Sequence, residues 1–189
     1  LLPYIDANGE TQTCSNYTVL TKETNVSNLP GGWYVVDGTV SNNSLICHSG
    51  VHLILCDGAD MTINNGEEAI YVRDNLTIYA QSSGSSMGKL TATSTSNDGI
   101  CSFSGSITIC GGKINATGWD NGGYSGISAK YDVTIHSGKV SASGGGGITS
   151  YERNITLGLR NANDFIYASN YNGTVKVADG QTLYYVEIA

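Results

Sequence analysis

Charge is scarce in this chain. Only 13 % of its residues are Asp, Glu, Lys or Arg, and 16 acidic against 9 basic residues leave a net charge of −7. That balance argues against nucleic acid and against an anionic membrane surface as partners. No apolar run approaches the length that spans a bilayer, and no stretch carries a convincing helical period. Cysteine is present in an odd number, five (Cys14, Cys47, Cys56, Cys101, Cys110), which is not a disulfide framework. There is no C-x-x-C and no His at ligand spacing, so a zinc site is not indicated. No signal peptide is visible; the chain starts at Leu1 and is expected to be a mature segment whose leader was removed.

What is abundant is glycine, 25 residues of 189, within a sequence that repeats itself. Gly126 to Gly144 reads GISAKYDVTIHSGKVSASG, and Gly99 to Gly118 reads GICSFSGSITICGGKINATG. Ala69 to Ser94 and Gly147 to Gly158 are further copies. Each complete copy has three short apolar beats: a Gly-Ile beat, a Thr-Ile beat and a Gly-Lys-apolar-x-Ala beat. Within a beat, apolar residues alternate with Thr, Ser, Asn, Lys or Tyr, the pattern of a strand with one face buried. Gly, Asn, Asp and Ser separate the beats and form turns. One copy cannot bury its own apolar side, so neighbours must stack.

The fold expected is therefore all-β: a right-handed, single-stranded parallel β-helix of about five or six coils. Its apolar columns are read as Ile46, Ile70, Ile100, Ile127 and Ile148; as Leu55, Ile78, Ile109, Ile135 and Leu157; and as Met61, Leu90, Ile114 and Val140, with Ile63, Ala92, Ala116 and Ala142 two residues on. Insertions at 81–88 and 119–125 fall in turns. An antiparallel sandwich is the alternative, but it gives no reason for the same Ile-to-Ile spacing in successive copies. The same alignment puts Cys47 and Cys101 in one column with Tyr71 between, and Cys56 and Cys110 in another with Tyr79 between. Two coil steps are roughly 9.6 Å, too far for a disulfide, which needs Cα atoms within about 7 Å. Residues 1–32 do not follow the repeat and are read as an N-terminal cap. Residues 33–189 are the solenoid, with edge strands from 173. The copy at 147–172 loses its Gly-Lys beat, so DFIYASNYNG is read as a distorted coil, and Leu183 to Ile188 as part of the C-terminal edge.

GGWYVVDGTV, VHLILCDGADMTI, LTIYAQSSGSSMGKLTA and ITICGGKINATG resemble the segments of secreted, cell-surface β-helix repeat proteins of gut-type bacteria. The opening Tyr4-Ile5-Asp6 to Cys14 and the closing NYNGTVKVADGQTL resemble them too, so the likeness covers nearly the whole chain. It implies a secreted or surface-attached β-helix, some relatives of which are labelled carbohydrate-binding. It implies no catalytic motif and no cofactor. Cys56 stands where such segments usually have Ala.

Chemistry is sparse by the same reading. A glycosidase needs two carboxylates facing one cleft, whereas Asp74, Asp98, Asp120, Asp132 and Glu152 are scattered and read as solvated turn residues. Glu67 and Glu68 are adjacent and point to opposite faces. His48, His52 and His136 have no evident Ser or Cys partner and are assigned to the surface or to turns. The Asn-x-Ser/Thr triplets at Asn16, Asn25, Asn42, Asn75, Asn115, Asn154 and Asn172 reflect strand and turn composition. No catalytic or metal-binding residue is therefore assigned.

Two sets of residues are candidates for ligand contact. Lys89, Lys113 and Lys139 should stack in one column headed by Asp60, beside hydroxyl columns, a face suited either to an anionic polysaccharide or simply to solubility. Trp119, Asp120 and Tyr124 lie in one loop, with Tyr131 and Tyr151 in turns after the first beat and Phe103 at the equivalent place. Exposed aromatic faces of this kind stack on sugar rings. The reading is a non-enzymatic, secreted or surface module, monomeric or part of a longer surface protein, that binds a polysaccharide or host glycan. A structural spacer and a polysaccharide lyase or hydrolase are the alternatives.

Overall fold

The computed structural model describes residues 1–24, 26–178 and 186–188. The three beats become three stacks of parallel strands, and about five coils wind into a β-solenoid. The Gly-Ile beats form the Ile sheet: Leu45–Cys47, Ile70–Val72, Ile100–Ser102, Ser125–Ala129 and the first half of Gly146–Leu157. The Thr-Ile beats form the Thr sheet, from Thr18–Leu20 and Gly32–Val36 through Val51–Leu55, Leu76–Ala80, Ile107–Ile109 and Val133–Ile135 to the second half of Gly146–Leu157. Tyr171–Val177 pairs with Gly146–Leu157 along both halves. The third beats form the Lys sheet: Thr39–Asn42, Asp60–Asn65, Lys89–Ser94, Lys113–Thr117, Lys139–Ser143, Phe165–Ala168 and Val186–Ile188.

Register follows the repeat. Ile70, Ile100, Ile127 and Ile148 are partners in succession, as are Ile78, Ile109, Ile135 and Leu157. Met61, Leu90, Ile114, Val140 and Ile166 make the third column. Nearly all of these side chains have no solvent exposure. Burying each Ile or Leu is worth roughly 1.5–3 kcal/mol.

Four readings of the early copies are corrected. Leu45, not Ile46, pairs with Ile70, and Ile46 turns outward beside Tyr71. Leu53, not Leu55, pairs with Ile78. Cys47 therefore faces inward in line with Val72 and Ser102, while Cys101 lies on the outer face with Tyr71. Ile54, not Cys56, stands opposite Tyr79. The cause is ambiguity of phase. Leu45-Ile46 offers an apolar residue to either face, and Val51, Leu53 and Leu55 offer the inner face three equal choices. All five cysteines are free thiols.

The DFIYASNYNG coil is regular in the Lys sheet and distorted after it, where the pairing of Tyr171–Val177 shifts register between Thr149 and Asn154. Phe165–Ala168 pairs in full register with Lys139–Ala142, placing Ile166 and Ala168 in the apolar columns. Of Leu183 to Ile188, Val186–Ile188 pairs with Phe165–Ala168. Leu183 to Tyr185, like Asn25, lies outside the described residues.

Corners are held by polar ladders. Between the Ile and Thr sheets, Asn75 Oδ1 accepts the Ser106 amide at 2.8 Å. Ser106 Oγ accepts the Asp132 amide at 3.1 Å, and Asp132 Oδ1 accepts the Asn154 amide at 3.1 Å. Glycine marks the other corners. A Cβ at Gly126 would lie 2.5 Å from the Ala116 carbonyl oxygen and 2.7 Å from the Ser143 amide nitrogen, so the Gly-Ile beat begins with Gly because two backbones meet there. Gly138, before Lys139, has φ of 114°, which a side chain would strain.

Residues 1–32 fall into two parts. Thr18–Leu20 pairs in parallel with Tyr34–Val36 and, with buried Val26 and Leu29, extends the stack at its start. Leu2–Ile5 and Thr11–Cys14 form an antiparallel hairpin whose turn is closed by Asp6 Oδ1 accepting the Asn8 and Glu10 amides, each at 2.9 Å. The hairpin lies against the outer face of the Thr sheet. Tyr4 packs on Trp33 and Tyr79, with ring centroids 5.2 and 4.8 Å apart, and Arg160 donates to the Asp6 and Ala7 carbonyls. Among the described residues no helix is long and apolar enough to cross a membrane.

Gly126→Ala should lower stability by about 1–3 kcal/mol through overpacking against fixed backbone. Thr134→Ala, on the outer face of the Thr sheet, should change it by less than about 0.5 kcal/mol. Urea-unfolding midpoints of the two variants against the parent check the contrast.

Candidate functional site

With the inner face committed to packing, ligand contact belongs to the outer faces. On the Lys sheet the expected column is present: Asp60, Lys89, Lys113 and Lys139 are successive partners. Thr62, Thr91, Asn115 and Ser141 stack beside them, then Asn64, Thr93, Thr117 and Ser143. Two of the three cations already have partners. Lys89 Nζ is 3.6 Å from Asp60 Oδ2, and Lys113 Nζ donates to the Ser85 carbonyl at 2.6 Å. The face is a solvated ladder with part of its charge spent internally.

On the Thr sheet, His52 is neither a turn nor a bare surface residue. Its ring stacks on Trp33 at 4.2 Å, and Nδ1 is 2.9 Å from the Tyr79 hydroxyl. Burial lowers its pKa, which keeps the ring neutral inside this stack. Burial, and then the charge of Arg160, does the same to His136.

The Ile sheet gathers most of the chemistry. Ser102, Ala129 and Ser150 share an inward column. Their inward turn brings Phe103, Lys130 and Tyr151 to the next position, on the outside. Phe103 and Tyr151 are 62 % and 67 % exposed, the most solvent-accessible aromatic rings among the described residues. With Glu68, Asp98, Cys101 and Ser102 they line a cleft of about 430 Å³. Tyr71 extends the aromatic row, 6.0 Å from Phe103. The loop bearing the other candidates adjoins this face: the Trp119 amide donates to the Asn97 carbonyl, next to Asp98, and Trp119 stacks on Tyr124 at 6.1 Å and 20°. Asp120 opens a one-turn 3-10 segment, Asp120–Gly122, and is exposed.

Tyr131 stands apart. Lys130 Nζ is 5.6 Å from its ring centroid, and the Arg153 guanidinium is 4.7 Å away. Arg153 also reaches Asp132 at 3.7 Å. Tyr131 thus serves the corner, and Phe103 takes the place beside Tyr151.

Asp98 corrects the picture of solvated turn carboxylates. It is 7 % exposed. Oδ1 accepts the Ser125 amide of the next coil at 2.6 Å, and Oδ2 accepts the Ser128 hydroxyl at 2.6 Å. Around it, Ser125 Oγ and Thr149 Oγ1 are 2.6 Å apart, and Asn172 Nδ2 donates to Thr149 Oγ1 at 3.3 Å. Burial raises the Asp98 pKa, against the two hydrogen bonds that lower it. Burial also pushes the Cys101 thiol up to about 12; the Ser128 hydrogen bond opposes this, and the charges of Asp98 and Glu68 add to it. At neutral pH that thiol is protonated and is no nucleophile. Burial raises Tyr151 as well, with Asp98 the next contributor.

Glu68, Asp98, Cys101 and Lys130 are not among the aromatic and lysine candidates. The usable signal was Phe103, already aligned with Tyr151 in the repeat, and an Asp directly before a Gly-Ile beat, at the position held by Ser125 in the next copy.

The raised pKa of Asp98 fixes a pH dependence. The folded state holds this proton to higher pH than the unfolded chain does. This group's contribution is therefore most favourable below the ordinary Asp value and is lost as pH rises through the folded value. Asp98→Asn keeps an acceptor for the Ser125 amide and puts an amide donor where Oδ2 accepts, so the Ser128 hydroxyl rotates to become the acceptor. Its stability relative to the parent should rise with pH from the ordinary carboxylate range toward neutrality, as read from urea midpoints across that range. A flat difference would mean the carboxyl is not desolvated. Protein-family models, curated proteins and solved structures were all compared with this chain, and none matches it.

Proposed function

We propose that this chain is a non-catalytic glycan-recognition module, secreted or displayed on a bacterial surface, and that the cleft on the Ile sheet is its binding site. The observation that carries the reading is the exposure of Phe103 and Tyr151 on either side of Lys130, above a wall of hydrogen-bonding groups. Rings left in water on a rigid sheet are a preformed platform for a sugar face, and flanking carboxylate, hydroxyl and ammonium groups fix its orientation. The stacked Trp119–Tyr124 pair would extend the platform. The resemblance to secreted β-helix repeat proteins of gut-type bacteria supports the same location and ligand class.

Glu68 and Asp98 on one wall favour a second reading, a hydrolase with two carboxylates. Both Asp98 oxygens already accept protein hydrogen bonds at 2.6 Å, which turns the group toward the fold and supports binding over turnover. A spacer role would leave the exposed rings without a use.

A glycan array probed with the parent and with Phe103→Ala/Tyr151→Ala tests the proposal. Each ring should contribute about 0.5–1.5 kcal/mol, so the double variant should bind about 5- to 150-fold more weakly at unchanged unfolding midpoint. Signal on no glycan, or signal indifferent to the double substitution, would leave the spacer. Release of reducing ends that stops on Glu68→Gln would establish the hydrolase.

A further inference from the structure

The cleft's charge selects among sugars. Resting on the glycan reading of this site, we propose that its preferred ligand is a cationic sugar, a hexosamine unit whose free amine is protonated, and not a neutral, N-acetylated or uronic one. Two acidic side chains line the cleft, Glu68 and Asp98, and since both Asp98 oxygens are turned to Ser125 and Ser128, Glu68 is the carboxylate open to a ligand. Among the described residues lining the cleft, Lys130 is the sole cation, and its Nζ lies 3.6 Å from Glu152 Oε1. That pair offsets part of the one positive charge on the lining that would welcome an acidic sugar. What remains is the Glu68 carboxylate beside two ring faces.

Aromatic faces and carboxylates together are the chemistry that holds an ammonium ion. The ring quadrupole attracts the cation and the carboxylate completes its charge. Neutral sugars use the rings but leave the Glu68 carboxylate to water. An N-acetyl group replaces the charge with a bulkier amide. A uronate meets repulsion from Glu68. The chain's net charge of −7 biases encounter in the same direction.

The test is calorimetric titration of the intact chain at about pH 6, below the range in which an α-amino group loses its proton. The probes are a β-linked glucosamine hexasaccharide, its fully N-acetylated counterpart and a neutral glucose hexasaccharide. The expected result is at least tenfold tighter binding of the glucosamine oligomer than of either other. Added sodium chloride should weaken it, Glu68→Gln should weaken it severalfold, and Phe103→Ala/Tyr151→Ala should abolish it. If the N-acetylated or neutral oligomer binds as tightly and the double variant still abolishes binding, the cationic preference falls while the glycan site stands. If the glucosamine oligomer binds the double variant unchanged, the attraction is general to an acidic surface and the inference is overturned. Binding of none of the three overturns the inference here, while the wider array decides the glycan reading itself.

Discussion

Every feature of this protein depends on one constraint: equivalent residues of successive coils sit a single strand spacing apart, about 4.8 Å, with their side chains in line. An Ile placed on Ile100, with Ile127 and Ile148 continuing the column, finds apolar neighbours above and below without long-range folding of the chain. The inner face is thereby fixed by packing, and its Ala column in the Lys sheet tolerates little change in size. The outer face is not fixed in this way. Each outward position is a column that can be kept uniform or varied residue by residue, because the strands beneath it are already in place.

The two outward ladders use that freedom differently. The column of Lys89, Lys113 and Lys139 keeps the repeat and stacks like charges, an arrangement that is unfavourable between directly opposed residues. The chain offsets it with Asp60 below Lys89 and the Ser85 carbonyl at Lys113. The column of Phe103, Lys130 and Tyr151 breaks the repeat, changing residue type at every coil. Uniform ladders keep a repetitive surface soluble; a column that changes at every step makes one location unlike the others. The cleft sits at the irregular column.

What the sequence makes legible follows from the same constraint. Alternation and the Gly-Ile, Thr-Ile and Gly-Lys beats are local signals, so the solenoid, its three sheets and the Lys column could be read from them. Phase failed where apolar residues adjoin, at Leu45-Ile46, or where three inward positions are equivalent, at Val51 to Leu55. The hairpin at Leu2–Cys14 was beyond reach. Its place is set by Tyr4 on Trp33 and Tyr79 and by Arg160 on the Asp6 turn, contacts that bridge up to 154 residues of sequence. Asp98 was missed because a carboxylate between Asn and Gly looks like any turn residue. Nothing local discloses that the next coil supplies Ser125 and Ser128 to it.

Asp98 also shows how a solenoid tolerates a costly group. A buried carboxylate loses hydration, and its two short hydrogen bonds recover part of that loss. In a globular core the remaining cost would be spread over the whole packing arrangement. Here each coil touches only its neighbours, so stability is close to a sum of coil and interface contributions. The burden of Asp98 falls on the coil that carries it and the next one, where Ser125, Ser128 and Thr149 form the supporting network. The fully apolar columns on the inner side of those same coils are left intact. A coil can therefore carry a desolvated carboxyl on its outside while its inside is indistinguishable from the rest, and this separation of faces lets a repetitive fold differ at one place along its length.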